Sequence, residues 1–310
     1  MNVLVTGGAG FIGSSIVELL IENGHNVSII DNLSTGKMEF VNKRANFYCA
    51  DINDDLSELF EEIEPEVVIH HAAQISVQTS ILEPVKDANI NITGTVNLLE
   101  NCIKYKVRKI IYASSAAVYG KPAYLSIDEE HPTVPISFYG ISKYTPENYI
   151  KLFADLYGIK YTILRYSNVY GPRQDSKGEG GVVSIFFDKL CNDEIPVIYG
   201  SGSQTRDFIY VKDVAFANLM ALNNGDNSVA NISSNKQTSV NELFEVINRA
   251  LDITKVARYG KARLGDISDS CLNNRYAKAI LNGWAPKYSL QSGLAEMIES
   301  NRTLKNCNHI

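Results

Sequence analysis

Val3-Leu4-Val5-Thr6-Gly7-Gly8-Ala9-Gly10-Phe11-Ile12-Gly13 joins a short apolar run, a glycine-rich turn and the start of an amphipathic stretch. A turn so poor in side chains leaves bare backbone N–H groups at a helix N-terminus, where the helix dipole favours a phosphate. Gly7 and Gly10 suit a tight turn and a close approach, and Gly13 lets the helix pack on the strand. The spacing is GxxGxxG rather than GxGxxG, and a purely structural strand-to-helix turn would also use such glycines, so a second signal is needed. It stands at the end of the next apolar run. Asp31 follows Val27-Ser28-Ile29-Ile30, about 20 residues on, where a carboxylate accepts hydrogen bonds from adenosine ribose hydroxyls. A 2'-phosphate would be repelled there, and Asn32-Leu33-Ser34-Thr35 offers no arginine to receive it. The expected cofactor is therefore NAD rather than NADP. Phe11 and Ile12 open the helix beside it, and Asp51 and Ile52, after the third strand, are expected near the adenine.

The same alternation continues outward. Strands are expected at 2–6, 26–30, 46–49, 66–69, 109–113 and 161–164, with helices at 11–23, 56–63, 85–105 and 137–157 between them. Continuous apolar strands separated by amphipathic helices indicate a parallel sheet covered on both faces. Beyond Arg165 the rhythm loosens: a polar loop at 171–181, helices at 182–190 and 211–222, a strand at 229–232, and a helix from Ser239 to 251 whose Glu242 completes a capping box. The predicted fold is α/β, a Rossmann-type doubly wound parallel sheet with a smaller, interleaved C-terminal substrate domain. Residues 1–170 plus about 211–254 would form the first unit, and about 171–210 plus 255–310 the second.

Composition excludes several classes. The chain has 310 residues, 45% hydrophobic and 21% charged, enough for a sizeable core. A net charge of -6 without any Lys/Arg run argues against a nucleic-acid partner. Five scattered cysteines, with no CxxC pair, suit a reducing compartment and neither disulfides nor zinc. His70 and His71 are adjacent but lack a third ligand, so they read as structural and no metal is expected. No apolar run reaches membrane length, and the glycine turn interrupts any leader-like segment. A cytoplasmic protein is expected.

Tyr139-Gly140-Ile141-Ser142-Lys143 places a phenol and an ammonium on one helical face. An ammonium beside a phenol favours the phenolate, which would make Tyr139 a general base. Lys143 could also hold a cofactor ribose. The pair follows Ser114-Ser115, at the carboxyl end of an apolar strand, where open α/β sheets place their ligands. Pro146 lies inside the same helix and is expected to kink it just past Lys143.

At this point the chain resembles the extended short-chain dehydrogenase/reductases, and within them the UDP-galactose 4-epimerase family. The matching stretches are TGGAGFIG at 6–13, DNLSTG at 31–36, HHAA at 70–73, NITGT at 91–95, SSAAVYG at 114–120, YGISK at 139–143, LRYSNVYGPRQ at 164–174, GSGSQTRDFIYVKDVA at 200–215 and ARLGD at 262–266. The resemblance implies that Ser115, Tyr139 and Lys143 are the catalytic set. It implies cofactor contacts from Phe11, Ile12, Asp31, Asn32, Ser34, Thr35, Gly36, Asp51, Ile52, Ala72, Ala73, Gln74, Asn91, Tyr166 and Ser167. Asn168, Arg206, Arg263 and Asp266 would hold the nucleotide diphosphate or its ribose, the arginines suiting a pyrophosphate because their guanidinium forks to oxygen pairs. A homodimer through the helices at 85–105 and 137–157 is implied as well.

Related enzymes dehydrate, decarboxylate or reduce sugar nucleotides. Dehydratases of this group carry an acidic pair just after the catalytic hydroxyl and decarboxylases a nearby Glu; here Ala116 and Ala117 stand there. The expected activity is therefore NAD-dependent 4-epimerisation of a UDP-hexose through a 4-keto intermediate, an isomerase reaction. A dehydratase, decarboxylase or reductase of the same group is the alternative, and a non-catalytic dinucleotide sensor a further one. Ser270 lies where the family places a gate beside the sugar 2-substituent, and its small size implies room for an N-acetyl group.

Overall fold

Successive residues of the central strands face opposite layers, and both layers are apolar. Val3 and Val5 of β1 (Asn2–Thr6) enter one core with α1 (Phe11–Glu22), whereas Leu4 enters the other. That burial on two sides is what selects a parallel sheet covered by helices. The computed structural model describes residues 1–176, 181–262 and 267–307. The chain continues through β2 (Asn26–Ile30), β3 (Asn46–Tyr48), α2 (Ser57–Ile63), β4 (Val67–His70), α3 (Val77–Leu82), α4 (Pro84–Ala88), α5 (Gly94–Lys104), β5 (Lys109–Ser115), α6 (Phe138–Tyr157) and β6 (Lys160–Tyr166). After β7 (Asn168–Tyr170), α7 (Val182–Cys191), β8 (Val197–Tyr199), β9 (Thr205–Arg206), β10 (Phe208–Tyr210) and α8 (Val211–Ala221), β11 (Ser228–Ile232) returns to the sheet. The order is β11-β6-β5-β4-β1-β2-β3, parallel at every pairing. The chain reverses direction of progress between β1 and β4, the crevice where such sheets bind ligands.

The remainder is β12 (Thr238–Ser239), α9 (Val240–Leu251), β13 (Arg258–Gly260), α10 (Arg275–Ile280) and α11 (Leu290–Cys307). Ser239 accepts from Glu242 N and the Glu242 carboxylate accepts from Ser239 N, the expected capping box. Sequence grouped α9 with the first unit. In the structure its apolar face packs with α7 and α11 in a second core, Phe186 meeting Phe244 edge to face at 6.0 Å between ring centres. A Cβ on Gly293 would overlap the Tyr170 hydroxyl, so glycine lets α11 lie close against β7.

Two local expectations change. The helix expected at 85–105 is built from α4, a π-helical turn over Asn89–Thr93, and α5. α3, α10 and α11 were not foreseen as helices. α6 is helical from Phe138 to Tyr157 with Pro146 inside it, so the helix continues past Lys143. Among the described residues no helix is long and apolar enough to cross a membrane.

Candidate active site

The dinucleotide end is shaped by backbone, not by side chains. Gly7 adopts φ +70, and a Cβ there would sit 2.6 Å from Ala72 N. A Cβ on Gly13 would overlap the Gly7 carbonyl oxygen, so the first turn of α1 can lie on the loop only without one. Gly10 caps α1 in an extended conformation with no side chain covering the helix end, which leaves the N–H groups at Phe11 and Ile12 available to an anion. At the end of β2, Asp31 Oδ2 accepts from Ala9 N at 3.0 Å and Oδ1 from Leu33 N at 2.8 Å. The loop of Asn32, Ser34, Thr35 and Gly36 folds back on it, and a Cβ on Gly36 would lie 2.7 Å from Asp31 Oδ1. Asn32 Nδ2 donates to Asp51 Oδ2 at 2.7 Å. Burial raises the Asp51 pKa, but hydrogen bonds from Asn53 and Asn32 outweigh it and hold the carboxyl below its ordinary value. Ile52 is buried against Gly94. A bare helix end, a left-handed glycine and a carboxylate at the next strand end together fit a dinucleotide.

Across the crevice, Ser115 ends β5. Ser137 caps α6 by accepting from Gly140 N at 3.0 Å. A Cβ on Gly140 would lie 2.7 Å from the Ala117 carbonyl oxygen, so this glycine lets the start of α6 press against the turn that follows Ser115. Tyr139 is thereby brought to the Ser115 hydroxyl, which also accepts from Ala117 N at 3.2 Å. Lys143, one turn on, is buried with its ammonium 5.0 Å from the centre of the Tyr112 ring.

The electrostatics correct one expectation. Lys143 was expected to lower the Tyr139 pKa. Burial instead raises it; the Ser115 hydrogen bond opposes this and the Asp87 charge adds to it. Burial likewise pushes Lys143 down to about 8, against the raising influence of Asp87 and then Glu147. Desolvation dominates because Lys143 is buried and Tyr139 is half-buried where α6 meets the end of β5.

Two polar clusters behind this pair escaped the sequence reading. Glu147, one turn past Lys143, is clamped by Arg165 of β6, with Nε to Oε1 at 2.9 Å and Nη2 to Oε2 at 2.6 Å, and accepts from Ser114 Oγ at 2.5 Å. Asp87 accepts from Gln74 Nε2 at 2.6 Å and Asn91 Nδ2 at 3.2 Å. Asn91 also donates to Ser142 Oγ at 2.9 Å and exchanges bonds with the Gln74 backbone. The Asn91 and Gln74 side chains, which the resemblance places at the cofactor, make these contacts within the protein.

His70 lies between Thr6 Oγ1 (2.7 Å from Nδ1) and Thr95 Oγ1 (2.9 Å from Nε2), and burial depresses its pKa to about 3. Burial does the same to His71, whose ring stacks on Tyr166 with 5.7 Å between centres. Ala72, whose N donates to Thr6 Oγ1, and Ala73 follow β4 directly. Among the described residues no group of three or more His, Cys, Asp or Glu is arranged to hold a metal ion.

On the substrate side, Tyr166 ends β6 and Ser167 donates to the buried Asp207 carboxylate at 3.4 Å. Asn168 N donates to Asp207 O, leaving its exposed side chain at the start of β7. Arg206 and Ser270 come together through Thr205: Arg206 Nη1 donates to Thr205 O at 2.8 Å and Ser270 N to the same oxygen at 3.2 Å. Arg263 and Asp266 lie outside the described residues.

Residues 3–235 match the model of the NAD dependent epimerase/dehydratase family. A putative UDP-glucose 4-epimerase of Methanocaldococcus jannaschii is 52% identical over 97% of this chain and 100% of its own. The crystal structure of UDP-glucose 4-epimerase with UDP-glucose from Thermotoga maritima superposes with a TM-score of 0.96 at 47% identity, covering 98% of this chain and 100% of that one. A UDP-N-acetylglucosamine 4-epimerase from Methanobrevibacter ruminantium, in complex with UDP-N-acetylmuramic acid, superposes with a TM-score of 0.91 at 37% identity over 98% of both chains. With its parallel sheet, its glycine turn and its Ser-Tyr-Lys cluster, this chain belongs to the NAD dependent epimerase/dehydratase family.

Proposed function

We propose that the protein is an NAD-dependent isomerase that epimerises a UDP-hexose at C4, interconverting UDP-glucose with UDP-galactose and UDP-GlcNAc with UDP-GalNAc. The observation that carries this reading is the meeting of Ser115 and Tyr139 at the carboxyl edge of β5, with neutral Ala116 and Ala117 where elimination would need carboxylates. Ser115 aligns the sugar 4-hydroxyl with the Tyr139 phenol. As phenolate, Tyr139 takes the hydroxyl proton and later returns it. NAD, held by the glycine turn and Asp31, would supply the two-electron redox chemistry at C4 and a positive charge near the phenol. Lys143 supplies a second positive charge, offsetting the burial that otherwise favours the neutral phenol. Gly7, Gly10 and Gly13 admit the pyrophosphate of the dinucleotide and Asp31 takes its ribose. Arg206, with Arg263, Asp266 and Asn168, grips the UDP while the hexose turns over, and Ser270 leaves room at C2.

Incubation with each of the four UDP-sugars, read by product chromatography, tests the reading. UDP-glucose and UDP-galactose should reach one mixture from either side. Tyr139→Phe should retain NAD and lose about a hundredfold or more of the rate. A 4-keto-6-deoxy product, or none, would reject the reaction; no turnover of either N-acetylated sugar would reject the role of Ser270 alone.

The division into a dinucleotide unit and a sugar-nucleotide unit, and a cytoplasmic location, belong to the same reading. So does a homodimer. α6 lies alongside α3, α4 and α5, and together they expose Leu82 (80%), Val85 (71%) and Leu156 (64%), apolar surface that suits a second copy.

A further inference from the structure

Four charged side chains are buried behind Tyr139, and two of them answer each other. Glu147 and Arg165 form a fork-to-fork pair. That leaves Lys143, 5% exposed, and Asp87, 1% exposed, on different helices. Among the described residues neither lies in direct ion-pair contact with an opposite charge. Asp87 is instead held by neutral amides, those of Gln74 and Asn91, and Asn91 also donates to the hydroxyl of Ser142, the residue just before Lys143.

The other groups facing Lys143 can be taken element by element. From β4 and the residue after it, His70 and His71 are neutral, burial holding both near 3. From β5, Tyr112 is kept neutral because burial raises its pKa well above the ordinary value. From α6, Tyr139 is the proposed base and Glu147 is cancelled by Arg165 of β6. The remaining anion is Asp87. We propose that Asp87 is a positioning residue for the epimerisation: its carboxylate, aimed by Gln74 and Asn91, is the counter-charge that keeps buried Lys143 an ammonium beside Tyr139.

The inference rests on the role given to Lys143 under the proposed reaction. It is supported by the balance at that side chain, where burial pushes down and Asp87 is the largest opposing influence. With Lys143 near 8, the margin at neutral pH is narrow. Removing Asp87 moves the loss of the ammonium toward lower pH, so activity should fall earlier as pH rises.

The test is a titration of 13C-labelled lysine side chains by NMR, with the Lys143 signal assigned by its loss in Lys143→Met. In Asp87→Asn the Lys143 transition should move down by about one pH unit or more. Asp87→Glu keeps the charge and should keep the wild-type transition. Should Asp87→Asn not fold, Asp87→Ser is read in its place. In parallel, the alkaline limb of the UDP-hexose interconversion should move by the same amount, whereas a merely structural role would lower the rate equally at every pH. An unmoved Lys143 transition overturns the proposal whatever the activity. A moved transition in a protein that turns over no UDP-hexose rejects the reaction and keeps the charge pairing.

Discussion

Lys143→Met should make the protein more stable while abolishing turnover. Lys143 is nearly inaccessible, and its titration falls to about 8 from an ordinary 10.5. At about 1.36 kcal/mol per pH unit, carrying that charge in the folded chain costs on the order of 3 kcal/mol. Methionine fills a similar volume with no charge to desolvate. The sign follows from proton counting. Between pH 8 and 10.5 the unfolded chain holds a proton on this lysine that the folded chain has lost, so wild-type stability rises with pH across that window. The gain in the variant is therefore full below pH 8, shrinks from 8 to 10.5, and vanishes above. A chain of 310 residues loses about 0.65 kcal/mol per degree near its midpoint, so the gain corresponds to about 5 °C at pH 7. Thermal melts should be run without added NAD or sugar nucleotide, since ligands raise the wild-type midpoint by mass action. A variant melting at or below the wild type at pH 7, or a gain that does not shrink toward pH 10.5, would refute the reasoning.

Arg165→Met strands the Glu147 carboxylate in the core and should destabilise by about 3–5 kcal/mol, whereas Arg165→Met with Glu147→Gln should recover most of it. Melting curves of the two variants decide this; equal losses would mean that Arg165 matters for packing rather than charge. Leu156→Glu places a charge in the exposed apolar face of α6 and should convert a dimer to monomers in size-exclusion chromatography with light scattering. A wild type that elutes as a monomer would remove the dimer.

What could be read from sequence was whatever repeats locally. The alternation of apolar strands and amphipathic helices located the sheet, and the Ser239–Glu242 spacing located the start of α9. The glycine turn, Asp31 and the Tyr139–Lys143 spacing lie within single elements or at their ends, so they were legible too. Asp87 was not, because in Pro84-Val85-Lys86-Asp87-Ala88 an acid beside a lysine in a short segment carries no mark of burial. The available signal was the spacing of Asp87, Asn91 and Thr95, three polar residues four apart that share a buried face. Nothing local marks Glu147, because its partner, Arg165, lies on another element. An arginine inside the apolar run Ile163-Leu164-Arg165-Tyr166 was the hint that a buried carboxylate must meet it. The π-helical turn and the short paired strands have no distinctive period, and α11 was obscured by its serines and Gly293.

Asp31 ties the chain together as well as marking the expected ribose site. Its two oxygens fasten the glycine turn, through Ala9, to the loop beginning at Leu33, while Gly36 packs so tightly that no side chain fits beside it. Converting this chain to a 2'-phosphorylated dinucleotide by exchanging Asp31 for a basic residue would release two backbone donors at once and slacken the turn meant to cradle the pyrophosphate. Cofactor choice here is locked by mechanical coupling as much as by charge, and only a concerted redesign of residues 31–36 could reverse it.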